Sequence, residues 1–141
     1  MKLSTRSRYS ARILVELATN TPEKPLQVKE IAKRQGISAK YIEQLIRTLK
    51  SAGWLTSRRG PSGGHILAKA PETITMGDIV RLFEGQSDLA ECVHNANACP
   101  KSESCRFRLI WQEATAAMYQ KLDNVSIADL ICDPPDIDSM N

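Results

Sequence analysis

LQVKEIAKRQGISAKYIEQLIRTLKSAGWLTSRRGPSGGHILAKA, residues 26–70, carries the signals that decide the fold. Val28, Ile31 and Ala32 recur at helical spacing, and Gly36 stands where a left-handed cap would end that helix. Ser38 has the side chain of an N-cap. Behind it Tyr41, Ile42, Leu45, Ile46 and Leu49 form the inward stripe of a second helix that stops at Gly53. Two short helices joined by a tight glycine-containing turn predict a helix-turn-helix. Its second helix would turn Ala39, Lys40, Glu43, Gln44 and Arg47 outward. These side chains can read base edges in a major groove, Gln against adenine and Glu against cytosine, with Lys and Arg on guanine or phosphate.

Residues 54–57 and 65–68 read as two short strands around the turn Arg58-Arg59-Gly60-Pro61-Ser62-Gly63-Gly64. A hairpin directly behind a recognition helix is a wing, and arginines at its tip suit a narrow minor groove. A phosphate-cradling loop would need a Gly-Lys-Ser/Thr ending and a following helix, and neither is present. His65 reads as a strand residue and nothing more.

Upstream, a helix over about 5–19 carries Tyr9, Ile13, Leu14, Leu17 and Ala18 on one stripe. Arg6, Arg8 and Arg12 crowd its start, where cations oppose the helix dipole. That arrangement makes sense beside phosphates. Residues 1–70 hold 14 Lys/Arg against 4 Asp/Glu, a net +10, whereas residues 71–141 hold 5 against 12, a net −7. A basic half of this size suits a polyanion such as double-stranded DNA.

Downstream, Thr75 and Asp78 form a capping-box pair that opens a helix with Ile79, Val80, Leu82 and Phe83 inward and Gly85 at its end. A longer helix follows from 106 to about 122, with Phe107, Trp111, Ala114, Met118 and Leu122 on one stripe and Ile110 and Ala117 widening it. A winged helix is nearly complete without it, so this stripe is expected to pair with a second copy, as dimers do on palindromic half-sites. Ser126 and Asp129 repeat the capping pattern before a last short helix with Ile127, Leu130 and Ile131.

The expected fold class is therefore mainly α with a small β-hairpin. It divides into a winged helix-turn-helix (1–85), a cysteine loop (86–105), a dimerisation helix with a terminal short helix (106–132), and a tail expected to be disordered (133–141). No apolar run approaches the roughly 18 residues of a membrane-spanning helix, and the first residues lack the apolar core of a signal peptide. A cytoplasmic protein is expected. No catalytic dyad or nucleotide motif is visible, so it does not read as an enzyme.

The loop holds Cys92, Cys99 and Cys105 in the spacing C-x6-C-x5-C, among small, polar and turn-forming residues. Such a segment has no core of its own and is organised by something else, with an iron–sulfur centre the natural candidate. Zinc and bare redox thiols are the alternatives, although a structural zinc site usually shows a C-x2–4-C pair, absent here.

Met1-Lys-Leu-Ser-Thr5, Arg8-Tyr9, Ile31-Ala32, Tyr41-Ile-Glu-Gln-Leu45, Leu49, Arg59-Gly-Pro-Ser-Gly-Gly64 and the three cysteines together resemble the IscR-like family of winged-helix transcription regulators, whose members include IscR, NsrR, RirA and CymR. The resemblance spans essentially residues 1–132. It implies a homodimer on a palindromic promoter site, with a cluster, 2Fe-2S favoured over 4Fe-4S, held on Cys92, Cys99 and Cys105 and linking the protein to cluster-assembly machinery. It implies base contacts from Glu43 and Gln44 and a minor-groove contact from Arg59; together with the outward face of the second helix, the wing turn and the start of the first helix, the expected DNA contacts are Arg8, Lys40, Tyr41, Glu43, Gln44, Arg47, Arg58, Arg59, Gly60 and Ser62. Two departures concern the fourth ligand. The position of the IscR histidine is Arg108 here, and the position of the NsrR aspartate is Arg8, neither of which ligates iron. His94, Glu91, Glu103 or a residue from another segment or subunit are the remaining candidate donors, while Cys132 reads as a small packed side chain. The rival readings are a metal-free winged-helix repressor controlled by a partner protein or metabolite, and a thiol-based redox protein.

Overall fold

Helix α1 (Thr5–Thr19) begins where Ser4 accepts a hydrogen bond from the Ser7 amide, and it buries Ile13, Leu14 and Leu17. This computed structural model describes residues 2–21, 23–85 and 87–132; the expected tail at 133–141 and the side chain of Cys132 lie outside them. Around α1 pack α2 (Val28–Gln35) and α3 (Ala39–Ser51), which make the helix-turn-helix. As expected, Gly36 ends α2 with left-handed φ and ψ of 65° and 34°, and Ser38 caps α3 by accepting from the Tyr41 amide. Ile42, Leu45, Ile46 and Leu49 of α3 are all buried in one core with α1, Ile31, Trp54 and Leu55.

Strands β1 (Leu55–Arg58) and β2 (Gly64–Leu67) pair antiparallel, with Leu55 opposite Leu67 and Arg58 opposite Gly64. Both are displaced one residue from the expected positions. The Trp54 amide still donates to the Leu49 carbonyl at 3.0 Å, so the end of α3 takes the first residue of the expected strand.

Helix α4 (Met76–Glu84) opens on the expected capping box between Thr75 and Asp78 and buries Ile79, Val80 and Phe83. Helix α5 (Arg106–Asp123) is the long helix, and α6 (Ile127–Cys132) follows at once. The packing divides the segment 106–132. Thr75 and Ser126 form an isolated antiparallel bridge in which Met76 donates to Val125 at 2.8 Å and Ile127 donates to Ile74 at 2.9 Å. Helix α6 thereby folds back on α1, and Ile127 is fully buried in the winged-helix core. Helix α5, by contrast, buries only Thr115. No helix among the described residues is long and apolar enough to cross a membrane.

Truncating a core isoleucine to Ala removes apolar burial and leaves a cavity, costing about 2–5 kcal/mol. Ile127→Ala is expected to lower unfolding free energy by that amount in urea titrations. A loss below about 1 kcal/mol would mean that α6 contributes little to the core.

Candidate nucleic-acid interface and cysteine loop

The four buried residues of α3 fix its opposite side toward solvent. Lys40, Glu43, Gln44 and Arg47 are exposed there, as the stripe implied. Tyr41 is only half-buried, between the two faces. Its hydroxyl lies 3.1 Å from Thr5 Oγ1, and its ring meets Tyr9 edge-on at 6.1 Å. It works as a strut between the start of α1 and the recognition helix. Arg8, also exposed, stands on that same first stretch of α1.

Close backbone approaches build the wing. A Cβ on Gly64 would stand 2.6 Å from the Leu26 carbonyl, and one on Gly63 would run into the Arg58 carbonyl oxygen. The Leu26 approach matters because Leu26 and His65 exchange two backbone hydrogen bonds, 3.1 and 2.8 Å, which anchor β2 to the segment entering α2. The turn between the strands leaves Arg58, Arg59, Gly60, Pro61 and Ser62 exposed. Among the described residues, the salt bridges leave Arg8, Lys40, Arg47, Arg58 and Arg59 unpaired. Their charge is therefore available to a polyanion.

An open groove lined by Glu43, Arg47, Lys50 and His65 separates α3 from the wing. Across it Lys50 Nζ donates to Ser57 Oγ at 2.8 Å, and Ser57 Oγ lies 3.1 Å from His65 Nδ1. Burial, reinforced by the positive charge of Lys50, holds His65 below the ordinary histidine pKa.

Helix α5 meets its own domain with a polar face. At spacings of four, three and four, Arg108, Gln112, Thr115 and Tyr119 line one side. Arg108 Nε donates to the Cys92 carbonyl at 2.7 Å and Gln112 to the Val93 carbonyl at 3.5 Å. Thr115 Oγ1 accepts from the Leu89 amide and the Tyr119 hydroxyl from the Ser87 amide, both at 3.3 Å. The arm before the cysteines thus runs along α5 bonded through its backbone. Arg81 closes the far end, pairing with Asp123 through 2.6 and 2.7 Å bonds and stacking on the Tyr119 ring at 4.5 Å. Phe107, Ile110 and Trp111 lie on the other side, 69%, 56% and 42% exposed.

The family of iron-dependent transcriptional regulators named Rrf2 matches residues 3–133. Protein rrf2 of Nitratidesulfovibrio vulgaris is 47% identical over 94% of this chain and 89% of its own. Among solved structures, CymR of B. subtilis superposes with a TM-score of 0.78 at 34% identity, covering 93% of this chain and 96% of that one. T. potens IscR gives 0.72 at 34% identity, over 93% and 86%. The chain belongs to the Rrf2 family of transcriptional regulators.

An Rrf2 protein of this sequence carries a donor set that fits an iron–sulfur group in kind. Cys92, Cys99 and Cys105 are free thiols, each half-buried. The loop around them consists of two 3-10 turns, Glu91–Val93 and Ala96–Ala98, and from 92 to 105 it buries only Ser102, which donates to the Ala96 carbonyl. Among the described residues no three His, Cys, Asp or Glu stand close enough together to hold a metal ion. Glu91 and Glu103 point to solvent, whereas His94 is held by Asp88 through Nδ1.

Three features escaped the sequence reading. The polar ladder of α5 was legible as a second stripe beside the apolar one. The Arg81–Asp123 pair, 42 residues apart, left no local signal. Nor did the contact between Glu84 and the start of α1, where the carboxylate accepts from the Ser4 amide at 2.9 Å, the Ser4 hydroxyl at 2.6 Å and the Ser7 hydroxyl. Burial raises the Glu84 pKa, and these hydrogen bonds more than reverse it, leaving the carboxyl below its usual range.

The His65 shift gives stability a pH dependence of known sign. A histidine whose folded pKa is depressed binds fewer protons in the folded chain, so its contribution is present above the unfolded pKa and lost as pH falls through the folded one. Unfolding free energy is expected to decline as pH drops below about 6.5, and the decline is expected to be shallower in His65→Gln. Identical slopes for the two proteins would show that His65 does not titrate on unfolding.

Proposed function

We propose that this Rrf2 protein is a cytoplasmic homodimer that binds a palindromic promoter site, with its affinity set by an iron–sulfur cluster, 2Fe-2S favoured, on Cys92, Cys99 and Cys105. The position of the loop carries this reading. It leaves α4 just after Glu84, whose carboxylate holds the start of α1, and Thr5 there touches Tyr41 of the recognition helix. It returns into α5, whose apolar side faces away from its own domain. A change in the loop therefore bears on the recognition helix and on the dimer face together.

Glu43 and Gln44 would read base edges, Lys40 and Arg47 would meet guanine or phosphate, and Arg59 would enter the minor groove beside Arg58. Gly60 and Ser62 allow the wing backbone to approach the DNA. Tyr41 would brace the start of the recognition helix beside the DNA, and Arg8 would meet phosphate. Phe107, Ile110 and Trp111 would bury against a second copy and set the spacing of the two α3 helices. When bound, the cluster supplies a tether sensitive to iron and redox state. Cluster-assembly proteins would be the source of such a group.

Arg59→Ala is expected to weaken operator binding and to lower the slope of log affinity against log salt by about 1. Unchanged affinity would take the wing out of the interface. Trp111→Asp is expected to convert dimer to monomer in analytical ultracentrifugation. For the cluster itself, anaerobically purified protein is expected to absorb in the visible and to contain iron and sulfide.

A second reading is favoured by one observation, the lack of a gathered metal site among the described residues. It keeps the DNA-binding dimer and places control in a partner protein or small metabolite. Replacing all three cysteines by Ser separates the readings: retained regulation supports the metal-free version, and lost regulation supports the cluster.

A further inference from the structure

We propose that the groove between α3 and the wing seats one backbone phosphate of the bound DNA, held by Lys50, Ser57 and a protonated His65. This rests on the DNA pose proposed above and deepens it. A duplex with α3 in its major groove and the wing tip in the adjacent minor groove keeps one phosphodiester strand between the two. That strand has to cross the space between α3 and the β1–β2 hairpin. The space is the open groove lined by Glu43, Arg47, Lys50 and His65. Arg47 and Lys50 stand three residues apart on one side of α3, and neither forms a salt bridge among the described residues. Lys50 Nζ gives one N–H to Ser57 Oγ at 2.8 Å and keeps the others for an anion.

The backbone fixes the imidazole at this groove. His65 lies directly opposite Ser57 in the hairpin, and its amide and carbonyl bond Leu26 at 2.8 and 3.1 Å. Nδ1 rests 3.1 Å from Ser57 Oγ, and Nε2 has no partner among the described residues. The groups facing the ring are Glu43, Arg47 and Lys50 from α3 and the Ser57 hydroxyl from β1, while Val28, the α2 residue at the groove, is uncharged. Partial burial, and after it the charge of Lys50, disfavours a charged imidazole in the free protein. A phosphate seated between Lys50 and His65 opposes that repulsion with its own negative charge. The ring then takes a proton from solvent and donates from Nε2 to a phosphate oxygen. Ser57 Oγ has two lone pairs, so it accepts from Lys50 and from the protonated ring at once. A histidine that only completes a strand would titrate alike with and without DNA.

The test uses full-length, anaerobically purified protein and a duplex that this protein selects from random-sequence DNA. At fixed salt, affinity is expected to rise about threefold or more as pH falls from about 7.5 to about 6, with uptake of up to about one proton per protomer. Calorimetry in buffers of different ionisation enthalpy reads that uptake directly. His65→Gln is expected to abolish it and to flatten the pH profile. Lys50→Met is expected to weaken binding and to lower the slope of log affinity against log salt by about 1. A further arm alters only the DNA and so does not depend on how a variant folds. Phosphates are replaced one at a time by neutral methylphosphonates, and one position in each half-site, between the bases under α3 and the minor groove under the wing, is expected to remove the pH dependence of wild type. Four results overturn the site while the DNA-binding reading stands: a pH-independent wild type, unchanged proton uptake in His65→Gln, unchanged affinity in Lys50→Met, or no such phosphate position. A protein that selects no duplex at any pH overturns both.

Discussion

Helix α5 is attached to its own domain by polar side chains, and the rest of the assembly follows from that constraint. Arg108, Gln112, Thr115 and Tyr119 meet the backbone of the preceding arm, and Arg81 ties Asp123 to α4. A helix that satisfies its domain with hydrogen bonds has its apolar side left over. Exposing Phe107, Ile110 and Trp111 to water forfeits roughly 25 cal/mol for every Å² that a covering surface would bury. The polar ladder also explains why a loop without a core stays against the protein. It is held by its neighbour's side chains rather than by packing.

The same economy of contacts appears where α1 meets the helix-turn-helix. The start of α1 is a junction: Glu84 arrives from α4, Arg6 donates to the Phe83 carbonyl at 3.3 Å, and Thr5 meets Tyr41. Helix α1 has Arg6 and Arg8 and no acidic residue in its first turn, an arrangement its dipole disfavours. Glu84 supplies from another element the negative charge that the first turn lacks. The end of α4 therefore stabilises the start of α1 electrostatically, and α1 braces the recognition helix. The end of α4, the start of α1 and α3 are thus joined by short polar contacts.

The helix-turn-helix, both capping boxes and the wing were legible in the sequence because each depends on neighbours within a few residues. Gly36, Ser38, Thr75 and Ser126 announce their roles through local backbone chemistry, and the structure uses each as its residue type implies. The wing glycines were legible as a turn, but not the reason for Gly64, which is the approach of Leu26 from 38 positions upstream. Helix α6 shows the same limit. Its apolar residues were visible, yet nothing local says that Ile127 joins the winged-helix core instead of accompanying α5. The cysteines were visible by spacing alone, whereas the Asp88–His94 pair joins an acid to a histidine across a loop with no periodicity to reveal it.

These limits bear on how the loop could act. Coupling between two sites is a free-energy difference and is reciprocal: whatever the loop's state does to DNA affinity, DNA does to the loop's state. The Tyr41–Thr5 contact and the Glu84 contacts with Ser4 and Ser7 share the first turn of α1. A loop held by backbone hydrogen bonds to α5 can change shape only by exchanging those bonds, each worth on the order of 1 kcal/mol net. Exchanging several of the four ladder bonds at once lies in the range of about 1–3 kcal/mol that typifies allosteric coupling.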